Sequence, residues 1–174
     1  MMGADSESID PREAGTQLRP GLWDTINERY PGSMIEKADF VPLAASRKPL
    51  SEVRLTMISS CVVHAKTDPP LDVCHPFGDF RFRRVPSRAR HEDLIIHQLK
   101  YPHDDADLDI NVIFPIERLQ ELVSEGVLGE LTENFFSFIG YNMDPERFER
   151  TVAHDIAEAV AMQEQADAAL LVPA

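Results

Sequence analysis

Short apolar segments alternate with amphipathic helical segments from residue 53 onwards, and this alternation is the feature that most constrains the fold of the chain. The apolar segments are rich in β-branched and aromatic residues, as strands usually are. They comprise residues 53–60 (VRLTMISS), 94–99 (LIIHQL), 135–140 (FFSFIG) and 167–174 (DAALLVPA). Residues 109–114 (DINVIF) predict a further short strand or an extended segment that leads into a helix.

Two helices are predicted between these strands, each with its own start signal. Pro115 fits the first position of a helix, where its missing N–H costs nothing, and Gly126 fits the end. The apolar stripe of this helix consists of Ile116, Leu119, Leu122 and Val123. Asp144 predicts the N-cap of the second helix, just before Pro145. The apolar residues of that helix are spaced at four-residue intervals: Phe148, Val152, Ile156 and Val160.

This order of elements predicts the α/β class: a three-layer, mostly parallel, Rossmann-like sheet with helices on its faces, incomplete at the C-terminus. Residues 1–37 are predicted to form an N-terminal tail with a short amphipathic helix over GLWDTINERY (21–30), and residues 38–174 the α/β domain. Residues 61–93 carry many turn signals and no predicted element. A segment of that length inside a compact domain is commonly functional.

Charge and composition exclude several classes of protein. The net charge is −13, which disfavours binding to nucleic acid or to an anionic membrane. The two cysteines are too few for a disulfide scaffold. No signal peptide and no apolar run of the ~18 residues that span a bilayer is visible. The dinucleotide, P-loop and nucleophile-elbow motifs are also missing. We therefore expect a cytoplasmic protein with reduced thiols and no bound cofactor.

The candidate site residues follow the first two predicted strands, where ligands of open α/β sheets bind. His64 and His103 are the candidate catalytic residues, because imidazole donates and accepts protons near neutral pH. Cys61, Asp109 and Asn111 are the candidate substrate-binding residues. One face of the Asp109–Asn111 alternation must point inward, and this favours a structural or substrate-binding hydrogen-bond network.

Two other functions remain open at this stage: a non-catalytic subunit that binds a ligand or a partner, and a metalloenzyme. The metal hypothesis uses Cys61, His64, Cys74, His75 and His103. Their spacing does not match a zinc motif. A cysteine beside a strand is most often a small buried hydrophobe. His97, inside the second predicted strand, is interpreted as a core or face histidine.

Several blocks resemble the glycine/sarcosine/betaine reductase selenoprotein B family, whose nearest members in length are related to the D-proline reductase selenoprotein. The most specific block is DLDINVIFPIERLQEL (107–122). The other blocks are KPLSEVRLTMISS (48–60), TDPPLD (67–72), FFSFIGY (135–141) and DAALLVP (167–173). The resemblance implies an α/β fold and an oxidoreductase that uses a disulfide as acceptor, with a small-molecule substrate and a thiol/disulfide partner protein. An oligomer is compatible with it.

The family's selenocysteine or cysteine nucleophile follows the strand that resembles residues 167–173, and neither Cys61 nor Cys74 occupies its motif. The resemblance therefore places the nucleophile just beyond Ala174. We expect a UGA codon there, followed by an open frame of roughly 40–70 codons that encodes one more helix–strand unit.

Overall fold

The computed structural model describes residues 48–99 and 101–174, together with Glu28, Arg29, Pro31 and Ala44. The chain divides into two units, Met1–Pro42 and Leu43–Ala174. Of the helix predicted over residues 21–30, Glu28 and Arg29 are helical and Pro31 lies in a turn. The remainder of that helix and the predicted boundary at residue 37 lie outside the described residues.

The second unit contains strands and short helices in alternation. The strands are β1 (Arg54–Ser59), β2 (Val63–Ala65), β3 (Phe82–Pro86), β4 (Leu94–Ile96), β5 (Glu130–Leu131), β6 (Asn134–Phe138) and β7 (Ala168–Val172). The α-helices are α1 (Asp104–Leu108), α2 (Ile116–Ser124), α3 (Pro145–Phe148) and α4 (His154–Glu158). Two π-helical turns, Glu149–Ala153 and Ala159–Gln163, make the backbone continuously helical from residue 145 to residue 163, here called the long helix.

The main sheet is mixed and mostly parallel, as expected for an α/β fold. β1 pairs in parallel with β7 along Leu55–Ser59, and on its other side with β5 at its start and β6 at its end. β3 pairs antiparallel with β6. A separate antiparallel pair is formed by β2 and β4. The carboxyl ends of β1, β6 and β7 therefore share one edge of the sheet.

Successive side chains of β6 face two different apolar clusters. Phe135 packs in the cluster that contains Leu119 of α2, whereas Phe136 packs in the cluster that contains Ile156 of the long helix. Neighbouring residues of a strand point to opposite faces, so these two helices cover opposite faces of the sheet. Both apolar stripes face the core as their periodicity predicts, since Leu119 and Ile156 are buried.

The strand or extended segment predicted at residues 109–114 is wrong, because Ile110–Val112 is a 3₁₀ turn. The Asp109 side chain accepts the Asn111 N–H, and this local bond holds the backbone in a turn. The segment 61–93, in which no element was predicted because of its many turn residues, contains β2 and β3. His97 lies just beyond the end of β4 and donates its backbone N–H to Val62 O at 3.1 Å.

Candidate functional site

The ends of three parallel strands meet at the carboxyl edge of the sheet. Ala174, after β7, donates its N–H to Ser60 Oγ, after β1, at 3.0 Å. Gly140, after β6, packs so closely against this pair that a Cβ there would lie 3.0 Å from Ser60 Cβ. Polar atoms and small residues therefore occupy the edge where ligands of α/β proteins bind.

A strained residue turns the chain away from this edge into β2. Val62 has a φ of 60°, a left-handed conformation that a β-branched residue adopts only at a cost of about 1–3 kcal/mol. Its N–H donates to Phe138 O at 3.3 Å, and its carbonyl accepts the His97 N–H. The surrounding strands hold Val62 in place, and strain of this kind is concentrated at functional sites.

Cys61 lies in the core beside the edge. It is fully buried, and its Sγ lies 3.9 Å from Ser137 Oγ. Burial raises the pKa of the Cys61 thiol, and hydrogen bonds from neighbouring groups only partly offset this. The structure therefore provides a protonated, enclosed thiol at this position.

His64 is also buried, and its two ring nitrogens have different surroundings. Nδ1 lies 2.8 Å from Ala65 O, so it donates to that carbonyl. Nε2 is buried and has no hydrogen-bond partner among the residues that the structure describes. The ring packs edge-on against His97, with centroids 5.9 Å apart. His64 Nε2 is therefore a buried ring nitrogen without a hydrogen bond to the described residues, in a ring that packs against His97.

His103 belongs to a polar group that we call the His103 group: Gln98, Tyr101, His103 and Asp107. His103 Nε2 lies 3.2 Å from Gln98 O, and Nδ1 lies 2.9 Å from Asp107 Oδ2, one turn further along α1. Tyr101 packs edge-on against the imidazole. Burial, together with Cys61, raises the pKa of the Tyr101 hydroxyl, and the Gln98 side chain opposes this. The Asp107 carboxylate and the Gln98 carbonyl thus hold the imidazole in one orientation, with one of them beside each ring nitrogen.

Sequence reasoning named His103 but missed Asp107 and Tyr101. The four-residue spacing of His103 and Asp107 at the start of a helix was a usable signal, because such pairs share a helix face. No sequence pattern indicates the contact between Tyr101 and His103, because this contact depends on the turn between β4 and α1.

Asp109 and Asn111 form a hydrogen-bond network with each other and with the start of α2. Asn111 Oδ1 accepts the N–H groups of Glu117 (3.0 Å) and Arg118 (3.3 Å), at the start of α2. Its Nδ2 donates to Asp109 Oδ1 and to Glu117 Oε2. Hydrogen bonds from the Asn111 side chain and backbone lower the pKa of Asp109. This network caps α2; a substrate contact by either residue stays a prediction.

The residues of the metal hypothesis are not brought together. Cys74 and His75 lie in an exposed loop, while Cys61 and His64 are buried. Within residues 48–99 and 101–174, no three His, Cys, Asp or Glu side chains are arranged to hold a metal ion.

Two cavities are lined in part by residues described above. The larger, about 580 Å³, runs along β4 and is lined by Ile95, Lys66, His91 and Glu117, among others. The smaller, about 330 Å³, lies between the loop that follows β2 and the start of the long helix. Both volumes are in the range of small-molecule sites.

The structure is that of a mixed α/β protein with polar groups at the carboxyl edge of its sheet, and one known protein is similar to this chain. D-proline reductase subunit gamma of Acetoanaerobium sticklandii is 30% identical to this chain over 124 residues. The match covers 71% of this chain, which spans about half the length (50%) of that curated relative. It supports a distant relation to that reductase family.

The other comparisons add nothing to this relation, because no family model and no solved structure matches. Among the described residues, no helix is long and apolar enough to cross a membrane.

Proposed function

We propose that this chain is a reductase-type oxidoreductase subunit that acts on a small molecule with a thiol/disulfide partner protein, in the manner of the selenoprotein B family. The observation that carries the proposal is the 30% identity to D-proline reductase subunit gamma over 124 residues. The sheet is proposed to be Rossmann-like and three-layered. A cytoplasmic location, where partner thiols are kept reduced, belongs to the same proposal.

The proposed nucleophile is a selenolate or thiolate that follows Ala174. It attacks the substrate carbon, so that a C–Se or C–S bond forms, the bond from carbon to the leaving group breaks, and the leaving group takes a proton. A thiol of the partner then cleaves the new bond, the carbon receives a proton, and a selenosulfide or disulfide remains. A second partner thiol restores the nucleophile and leaves the partner oxidised to a disulfide.

The arrangement of the carboxyl edge supports this mechanism. The hydrogen bond between Ala174 and Ser60 brings the end of β7 to the end of β1. Cys61 follows Ser60 and lies buried in the core beside this edge. His103 is the proposed proton donor to the leaving group, and Asp107 orients its ring. His64, with its unused Nε2, is the second proposed proton carrier. Cys61, Asp109 and Asn111 are proposed to line or support the substrate site.

The alternative of a non-catalytic binding subunit is favoured by one observation: the smaller cavity shares no lining residue with the His103 group and is lined in part by charged side chains.

Turnover tests the proposal. The gene is read beyond the Ala174 codon and expressed with any UGA codon changed to a cysteine codon. D-proline serves as the first substrate, because the relative's name specifies it, and dithiothreitol serves as the reductant. We expect substrate-dependent disulfide formation, and His103→Asn should lower kcat about 100-fold or more. Asp104→Asn, on the exposed start of α1, is the matched control and should leave kcat unchanged. The proposal would be contradicted if the extended chain without further substitutions showed no turnover. Equal kcat values for His103→Asn and Asp104→Asn would also contradict it.

A further inference from the structure

The smaller cavity contains an exposed arginine that stacks on an aromatic ring. The cavity is about 330 Å³ and is lined by Asp72, His75, Gly78, Asp79, Phe80, Arg81 and Arg147. Its walls come from the loop that follows β2 and from the first turn of the long helix. It lies apart from the His103 group, with which it shares no lining residue.

Arg147 is held in place by an aromatic ring. Its guanidinium carbon lies 4.1 Å from the centroid of Phe80, a close cation–π contact. Asp144, the N-cap of the long helix, accepts the Arg147 backbone N–H at 2.9 Å and fixes the first turn. Among the described residues, the hydrogen bonds of Arg147 are made by its backbone, and its guanidinium contacts the Phe80 ring. The ring thus orients the planar guanidinium of an exposed arginine, an arrangement suited to bidentate recognition of a carboxylate.

The other arginine of the cavity is already neutralised. Arg81 Nε donates to Asp79 Oδ1 at 2.7 Å, and Arg81 and Asp79 form an ion pair. Asp79 also accepts the Asp72 N–H at 2.7 Å. Burial alone would raise the pKa of Asp79, but these hydrogen bonds bring it below its ordinary value. Asp79 therefore stays charged and satisfied, and it does not compete for Arg147.

Gly78 allows the cavity to form. Its φ is 91°, and a Cβ at this position would lie 2.8 Å from Asn142 Oδ1. Only glycine fits this left-handed position against the segment after β6. The loop can then approach residues 141–143, where Phe77 O accepts the Met143 N–H at 3.1 Å. The wall opposite Arg147 is therefore set by backbone contacts.

We propose that this cavity, the Arg147 cavity, is a binding site for the carboxylate group of a small organic acid. Arg147 donates two parallel hydrogen bonds to the carboxylate, and Phe80 supports the guanidinium from behind. Asp72 also lines the cavity, and one of its carboxylate oxygens accepts the Cys74 N–H. The negative charge of Asp72 opposes the binding of an anion. The site binds its ligand without a chemical step, so it does not depend on the proposed reductase activity.

Titration calorimetry of the full chain with sodium acetate and sodium propionate, at constant ionic strength, tests the proposal. We expect saturable binding of both acids, weakened about tenfold or more in Arg147→Gln. Arg150→Gln removes an exposed arginine one turn further along the same helix and should bind like the parent. Asp72→Asn should tighten binding about two- to fivefold, because it removes a nearby negative charge.

The proposal is overturned if neither acid binds saturably or if inorganic phosphate binds and the acids do not. It is also overturned if Arg147→Gln and Arg150→Gln weaken the affinity for the acids equally. Circular dichroism shows whether each variant is folded. If Arg147→Gln is misfolded, Arg147→Lys replaces it, since it keeps the charge but lacks the planar fork. Unchanged affinity in a folded Arg147→Lys would also overturn bidentate recognition. Since no turnover is measured, failure here is distinct from failure of the reductase proposal.

Discussion

Cys61 and Cys74 have different surroundings, and these surroundings determine how fast each thiol reacts. Cys74 is exposed in the loop after β2, whereas Cys61 is fully buried and its pKa is raised by burial. The thiolate is the reactive form, so both the low accessibility and the raised pKa protect Cys61. We expect iodoacetamide at pH 8 to modify Cys74 of the native protein and to reach Cys61 only in denaturant, as measured by mass spectrometry of the peptides.

Cys74→Ala is the control for this labelling. The native variant should take up almost no reagent, and the denatured variant one equivalent. Selective labelling of Cys61 in the native protein near pH 6 would instead make it a candidate nucleophile.

At the scale of single residues, the sequence singled out Cys61 and His64 as candidates but did not indicate what each one contacts. Cys61 and His64 are three positions apart, which suggested a shared site. The left-handed turn at Val62 instead directs the thiol to Ser137 and the imidazole to Ala65 O and His97. A positive φ at a valine has no sequence signal, so this difference could not be predicted.

At the scale of elements, α2 depends on a cap that lies outside the helix. Asn111 Oδ1 accepts two backbone N–H groups at the start of α2, and the turn at Ile110–Val112 positions it. Loss of a capping side chain costs about 0.5–2 kcal/mol. We expect Asn111→Ala to lower the free energy of unfolding by about 1–2 kcal/mol in urea titrations, because two donors lose their partner. Asp104→Ala, which removes an exposed carboxylate, should stay within about 0.5 kcal/mol of the parent.

A smaller loss in Asn111→Ala than in Asp104→Ala would show that the cap contributes nothing to stability. The same comparison separates capping from substrate binding, since a purely substrate-binding Asn111 would leave the unfolding free energy unchanged.

The elements with strong periodicity were predictable, and those that depend on neighbours were not. α2 and the long helix have complete apolar stripes, and β1, β6 and β7 are short apolar runs bounded by turn signals. β3 was missed because Arg83 and Arg84 lie between its apolar residues, Phe82 and Val85, and break the period of two. These arginines are tolerated because Arg83 donates to Pro69 O and Arg84 lies over Phe136.

At the scale of the whole second unit, the two edges of the main sheet differ in how their polar groups are paired. The carboxyl edge carries the strained Val62, the His103 group nearby and the Arg147 cavity beyond β6. The amino edge is closed by Glu164, which follows the long helix and is only 3% exposed. Strained or incompletely paired groups are found at functional sites, and satisfied networks contribute stability. The sequence predicted the carboxyl edge from the order of strands, but it gave no sign of Glu164.

Glu164 joins three parts of the sheet through its two carboxylate oxygens and its carbonyl. Oε2 accepts the N–H groups of Glu133 (2.9 Å) and Asn134, and Oε1 accepts from Asn134 Nδ2. Its backbone carbonyl accepts Arg54 Nε at 2.7 Å, which links the helix end to β1. The carboxylate is thus the shared acceptor for the backbone between β5 and β6.

We expect Glu164→Ala to lower the free energy of unfolding by about 2–4 kcal/mol, because it removes a buried carboxylate and leaves the partly buried N–H donors of Glu133 and Asn134 without their acceptor. Glu130→Ala is the matched control: it removes an exposed carboxylate that pairs with Arg54, and such pairs contribute about 1 kcal/mol or less. Urea unfolding of both variants gives the comparison. Acetate titration of the folded fraction should be unchanged in both, since the Arg147 cavity is built from other residues. Equal losses of stability in the two variants would show that the amino edge is not held by Glu164, and loss of acetate binding in a folded Glu164→Ala would show that the two edges are coupled.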